Sequence, residues 1–279
     1  MIQLTQLGFH YNAKTRVFKG LNLDISEGRC VGVLGANGVG KTTLLKLISG
    51  LAQPSEGDIK VLGMTPRERS TALYQQLFLV PEEIDLPPIS GSAFLKQFSV
   101  FYPHFDMALC QSMLSKFDVD ASKVLTEMSL GQKKKFMVAV ALSSGCKLIL
   151  MDEPTNGLDI PSKARFRDIV VAHQADDQTV LICTHQVKDL EAIIDSVVLM
   201  NDSSAHWFDL GELPNKISQV VGSTNGAEAL HTETRLGSQV SLVPGASSQP
   251  TDIDLELLFN TFHNNYGGLM SAINEDISR

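Results

Sequence analysis

No stretch of this chain approaches the ~18 consecutive apolar residues that a membrane-spanning helix requires, and no basic leader followed by an apolar segment stands near Met1. The expectation is a cytosolic protein, peripheral on the cytoplasmic face of the membrane where a partner holds it there. Cysteine is scarce and unpatterned. Cys30, Cys110, Cys146 and Cys183 form no C-x-x-C pair, and no histidine lies beside them at metal-ligand spacing, which argues against a zinc site. Cys30 and Cys183 sit in apolar runs and read as small core residues of a protein from a reducing compartment. Positive charge is also short: 23 Lys and Arg stand against 31 Asp and Glu, a net charge of -8. Backbone phosphates demand a basic face, so nucleic acid is not expected as a partner. Neither an internal repeat nor a heptad run is present.

What is present is a chain of 279 residues, 43% hydrophobic and 19% charged, enough to bury a sizeable core. "LNLDI" at 21–25 alternates with period two and reads as a half-buried strand. "CVGVL" at 30–34, "LFLV" at 77–80, "KLILMD" at 147–152 and "TVLICT" at 179–184 are continuously apolar instead. Continuous runs suggest parallel strands covered on both faces. Between them "KTTLLKLISG", "GQKKKFMVAVALSSG" and "SKARFRDIVVAHQ" read as helices, with Gly50 placed to end the first. This is the alternating βα rhythm of a doubly wound α/β sheet. Residues 84 to 130 carry no strand signal and read as an inserted helical subdomain. From residue 211 the composition turns to Ser, Gly, Thr and Gln, which predicts a loosely packed extension or small β-rich appendage over 211–279. "DIDLELLFNTF" then reads as a closing amphipathic helix.

At the mouth of the strand "CVGVL" lies "GANGVGKTT", comprising Gly35, Ala36, Asn37, Gly38, Val39, Gly40, Lys41, Thr42 and Thr43. Gly35, Gly40, Lys41 and Thr42 match the phosphate-loop pattern G-x-x-x-x-G-K-[ST]. Glycines let the backbone N–H groups approach phosphate closely, and the helix beginning near Lys41 adds its positive dipole end. Lys41 would neutralise β and γ oxygens of a nucleoside triphosphate, and the Thr42 hydroxyl would ligate Mg²⁺. Further on, "LILMDEP" delivers Asp152 and Glu153 at a strand's C-terminal end, where ligands collect in open α/β sheets. Asp152 would hold Mg²⁺, directly or through water, and Glu153 would orient or deprotonate an attacking water.

"MSLGQ", Met128 to Gln132, stands at the start of a helix, and here the chain resembles the ATP-binding-cassette (ABC) ATPases, whose signature is LSGGQ. Ser129, Gly131 and Gln132 match, while Leu130 replaces the first glycine of the pair. The resemblance extends to "NGLD", similar to the family's D-loop with Asp159 as the matching acid, and to His185, similar to the switch histidine that contacts the γ-phosphate. An aromatic that stacks on adenine is implied upstream of the phosphate loop, with Tyr11 and Phe9 as alternatives. Glu82 of "LVPEE" stands where most relatives carry the Q-loop glutamine. An ionised carboxylate cannot donate a hydrogen bond but can still reach Mg²⁺ or its water. Lys133, Lys134 and Lys135, in the first helical turn where cations oppose the dipole, read as a solvated basic face. The other reading is that a partner's nucleotide offsets the repulsion.

The resemblance runs over about residues 2 to 210. It implies a P-loop fold with a mostly parallel core sheet, an antiparallel β subdomain and an inserted helical subdomain. It also implies an ABC ATPase unit over 1–210, with ATP and Mg²⁺ as cofactors. In this family the signature of one subunit completes the ATP site of another. One phosphate loop and one signature therefore imply a head-to-tail pair with a second copy or a homologous ATPase subunit. The implied load is a separate transmembrane permease, docked beside the helical subdomain, where any of Phe94, Phe98 and Phe101 left exposed would form an apolar contact. "PEE" and "LELLF" resemble the exporter-type subfamily. The rivals are a soluble ABC ATPase, a P-loop kinase or GTPase, for which no N-K-x-D follows, and a regulatory module that no longer hydrolyses ATP.

Overall fold

In the computed structural model of the chain, the described residues are 1–12, 15–201, 204–224, 226–235, 237–246 and 252–274. Strands β1 (Ile2–Asn12), β2 (Thr15–Ile25) and β3 (Cys30–Gly35) lead into helix α1 (Lys41–Ile48). Strand β4 (Glu56–Val61), helix α2 (Thr71–Tyr74) and strand β5 (Leu77–Val80) follow. Helices α3 (Gly91–Phe98), α4 (Met107–Lys116) and α5 (Leu130–Leu142) precede strand β6 (Leu148–Asp152), helix α6 (Ile160–His173), strand β7 (Thr179–Thr184) and helix α7 (Val187–Leu190). Strands β8 (Ser196–Met200), β9 (Ala205–Asp209), β10 (Ile217–Val221), β11 (His231–Arg235) and β12 (Ser238–Pro244) come next, and helices α8 (Leu255–Asn264) and α9 (Tyr266–Asn274) end the described chain.

The central sheet has six strands in the order β5-β6-β7-β3-β8-β9. All neighbours are parallel except β8 and β9. A second sheet, β2-β1-β4, is antiparallel throughout. The continuous apolar runs have a direct cause. In β6, Ile149 and Met151 face one core while Leu148 and Leu150 face the other, and in β7 Val180 and Ile182 oppose Leu181 and Cys183 in the same way. One core is closed by α5, α6 and the chain beyond residue 211; the other by α1 and the antiparallel sheet. With side chains alternating faces and both faces covered, the interior positions are apolar and polar residues stand only at the strand ends, Asp152 in β6 and Thr179 and Thr184 in β7.

Between β5 and β6 no strand occurs among the described residues, only a bridge between Ser90 and Val124. Ser90 caps α3, Asp106 caps α4 and Ser129 caps α5, each accepting a backbone N–H in the first turn. Phe94 and Phe98 stack at 4.9 Å and lean on Phe136 and Phe78, so both are half-buried. Phe101 is 65% exposed beside the exposed Val100.

The segment after residue 211 is more ordered than its composition predicts. Strands β10, β12 and β11 form a third antiparallel sheet, and Asp254 caps α8 through the Leu257 N–H at 2.7 Å. Ile217, Leu242, Leu257, Leu258 and Phe262 join the same core as the parallel strands, so the packing is not loose. Strands β10 and β12 carry three aliphatic residues each among Ser and Gln, and β11 carries none.

Candidate functional site

Parallel registration brings the chemistry to one edge. Val80 pairs with Met151, Asp152 with Cys183, and Leu34 with Thr184. The residues that follow β5, β6, β7 and β3 therefore emerge side by side. They line a cleft of about 550 Å³ with Tyr11, Asn37, Gly38, Gly40, Lys41, Thr42, Thr43, Glu82, Asp152, Glu153 and His185 on its walls.

The loop from Gly35 to Gly40 is tight. A Cβ at Gly35 would meet Val39 Cγ1 at 2.6 Å. Gly40 has φ of 108°, and a Cβ there would lie 2.6 Å from Val17 Cγ1. The Val39 side chain is buried in the core and its N–H donates to the Ala36 carbonyl at 3.3 Å, which folds the loop back on itself. Lys41 is buried, and its Nζ donates to the carbonyls of Gly35 at 2.8 Å and Ala36 at 3.2 Å. The Thr43 hydroxyl shares a hydrogen bond of 3.0 Å with the Tyr11 phenol. Phe9 is core and meets Tyr11 edge-on at 4.9 Å, whereas Tyr11 is 54% exposed at the rim. Of the two aromatics, Tyr11 is the one available to a ligand.

The carboxylates are arranged differently from one another. Asp152 is buried, and burial raises its pKa, with Glu82 and Glu153 adding to the rise and Thr42, by a hydrogen bond, and Lys41 opposing it. Glu153 is buried and bonded on both oxygens. Its Oε2 accepts from the Thr184 hydroxyl at 2.8 Å, and its Oε1 accepts the His185 N–H at 3.0 Å with His185 Nδ1 at 2.7 Å. With Nδ1–H given to Glu153, Nε2 is the ring nitrogen left for a ligand. The Thr184 hydroxyl also accepts the Gln186 N–H at 3.0 Å, so it fixes both the acid and the turn that follows.

Among the described residues no group of three or more His, Cys, Asp or Glu could enclose a metal. Mg²⁺ does not need such a cage. It takes one or two protein oxygens and completes its shell with phosphate and water. The Thr42 hydroxyl beside the buried Asp152 carboxylate is a donor set of that kind.

Ser129, Gly131, Gln132 and Asp159 do not line this cleft. Ser129 and Gln132 form a reciprocal capping box at the start of α5, with hydrogen bonds of 3.2 Å and 3.0 Å. Asp159 caps α6 through the Ser162 N–H at 2.8 Å, and the bonds from Ser162 lower its pKa. The two caps adjoin each other: a Cβ at Gly131 would lie 3.5 Å from the Gly157 carbonyl. Around them Leu130 is 53% and Ile160 83% exposed.

The lysine triplet departs from the expected solvated face. Lys133 and Lys135 are half-buried, but Lys134 is 1% exposed and donates to the Glu153 carbonyl at 2.6 Å. Burial lowers its pKa, opposed by Glu82, Glu153 and Asp152. Sequence reasoning missed it, and missed Thr184. Helix phase carried no signal for Lys134, since the positions four and seven residues on from Lys133, Lys134 and Lys135 are all buried.

A family model described as "ABC transporter" matches residues 18–156. The molybdate import ATP-binding protein MolC of Haemophilus influenzae is 32% identical over 220 residues, covering 77% of this chain and 83% of that protein. The ABC transporter ATP-binding protein NatA of Bacillus subtilis is 31% identical over 211 residues, covering 72% of this chain and 86% of its own. In structure, the chain resembles the dimeric bacterial ABC transporter cassette MJ0796 with a TM-score of 0.66 at 22% identity, over 75% of this chain and 99% of that one.

Proposed function

The chain belongs to the ATP-binding-cassette family of transporter ATPases, and from that premise we propose that it binds Mg-ATP in the cleft described above and hydrolyses it to drive a separate membrane permease. The observation that carries this reading is the convergence of Lys41, Thr42, Asp152, Glu153 and His185 on one cleft from three parallel strands, β3, β6 and β7. No helix among the described residues is long and apolar enough to cross a membrane. The relatives named as ATP-binding proteins of transporters support a permease on a separate chain, with this subunit at the cytoplasmic face. The molybdate relative is named for import, and it shares the cassette, so the cassette itself does not discriminate import from export.

ATP enters with adenine against Tyr11 and its phosphates along Gly38 to Thr43. Lys41 exchanges the Gly35 and Ala36 carbonyls for β and γ oxygens. Thr42, Asp152 and Glu82 are the groups that would hold Mg²⁺, which when bound would withdraw charge from the phosphate oxygens. Glu153 accepts a proton from water as the water oxygen bonds the γ-phosphorus. The bond from that phosphorus to the bridging oxygen breaks, and its electron pair stays on ADP. His185 keeps Glu153 oriented through Nδ1 and meets the γ-phosphate through Nε2.

Ser129, Gly131, Gln132 and Asp159 stand outside this cleft in one protomer, on a surface with exposed Leu130 and Ile160. They serve the nucleotide of a second copy or a homologous subunit. A two-fold axis makes two such sites at once, and the γ-phosphate holds them shut until it is hydrolysed. Sedimentation of Glu153→Gln with saturating Mg-ATP is expected to show a dimer, and the wild type with ADP a monomer. A Glu153→Gln variant that binds ATP and stays monomeric refutes the shared-site reading.

A further inference from the structure

Lys134 is a buried cation that the mechanism above does not use. An ammonium removed from water needs both an acceptor and counter-charge. Its acceptor is the Glu153 carbonyl at 2.6 Å, and its charged neighbours are Glu82, Glu153 and Asp152. Two demands of the cleft meet at this group. The first is backbone strain. Glu153 has φ of +45°, a left-handed conformation that a non-glycine residue holds only when its surroundings enforce it. The peptide groups on either side of that residue are tied down, by Glu153 N–H to the Cys183 carbonyl at 2.8 Å and by Lys134 on the Glu153 carbonyl. The second is charge. Asp152 and Glu153 set two buried carboxylates next to each other at the end of β6. Lys41 is committed to the phosphate loop, and in the proposed complex to the phosphates.

We propose that Lys134 is a positioning residue for ATP hydrolysis, fixing the strained Glu153 peptide by its hydrogen bond and setting a buried positive charge beside the Asp152 and Glu153 carboxylates. This rests on the ATPase reading above. The two roles separate by substitution. Lys134→Gln keeps a donor for the Glu153 carbonyl and loses the charge, whereas Lys134→Met loses both.

The test compares two variants of the full chain, with kcat and KM for Mg-ATP and hydrogen exchange of the Glu153 amide without nucleotide. Lys134→Gln should lower kcat about tenfold with KM changed less than about threefold. Lys134→Met should lower kcat further and speed exchange at the Glu153 amide, because the carbonyl stays without its donor. Equal kcat and equal exchange in the two variants, or a wild-type kcat in Lys134→Met, overturn the proposal. A wild-type chain that binds no ATP overturns the ATPase reading instead, and the exchange rates then still decide whether Lys134 fixes the Glu153 peptide.

Discussion

Removing one hydroxyl should separate catalysis from nucleotide binding. Thr184 is fully buried, and its Oγ1 donates to Glu153 Oε2 at 2.8 Å while accepting the Gln186 N–H at 3.0 Å. Thr184→Val preserves shape and removes both bonds. A hydrogen bond to a charged acceptor contributes about 1.5–3 kcal/mol. If that bond holds Glu153 where water is deprotonated, its loss translates into a fall in kcat of about ten- to hundredfold. The phosphate loop, Tyr11 and Asp152 do not touch this hydroxyl, so KM for ATP should move less than about threefold. Glu153 retains two donors from His185, so some activity remains. Thr184→Ser keeps the hydroxyl and should retain most of the rate. The assay is phosphate release at saturating Mg-ATP, with fluorescent-nucleotide titration for affinity. Folding also loses a partner for the Gln186 N–H, at a cost of about 1–2 kcal/mol that chemical denaturation reads separately. A Thr184→Val variant turning over at the wild-type rate, or faster, refutes the reasoning: Thr184 would then restrain a resting position of Glu153 rather than its working one.

Other perturbations probe the remaining pieces. Tyr11→Ala should weaken ATP affinity about tenfold, the scale of one base–aromatic stack, while Phe9→Leu should lower the unfolding temperature and leave affinity unchanged. Gly40→Ala meets both a φ of 108° and Val17 Cγ1 at 2.6 Å, so it should destabilise the fold by about 1–3 kcal/mol and raise KM, as thermal unfolding and kinetics would register. Ser129→Glu should abolish ATP-driven dimerisation in the Glu153→Gln background while ATP binding by the monomer stays within about threefold; loss of monomer binding would place Ser129 in its own protomer's site. Acid should act on the β11–α8 junction. Burial raises the pKa of both Asp254 and Glu233, but hydrogen bonds outweigh it: Arg235 and the Leu257 N–H on the first, Asn260 and Arg235 on the second. Their folded pKa values lie below the unfolded ones, so the stabilisation is full above about pH 4.5 and is lost as pH falls through the folded values. Arg235→Gln should flatten the drop in unfolding temperature between about pH 5 and 3.

How much of this was legible follows from which interactions are local in sequence. The phosphate loop and the strand-end acids are local patterns, and each stretch declares its own backbone demand. The buried strands were legible for a related reason: two cores on opposite faces leave no polar position between the ends of β6 or of β7. What stayed hidden depends on pairing between distant segments. Ile217 of β10 and Val240 and Leu242 of β12 pack into the central core while β11 offers no apolar residue, so composition could suggest a small β-rich appendage but not its docking on that core. Lys134 is the sharper case. Three consecutive lysines look alike, and only the approach of Glu153, 19 residues on, selects the middle one for burial. A helix can present just one of three successive residues to a given neighbour, since each step rotates about 100°. The cation's burial is therefore set by where β6 ends, and it tells which side of α5 the strained Glu153 peptide must occupy.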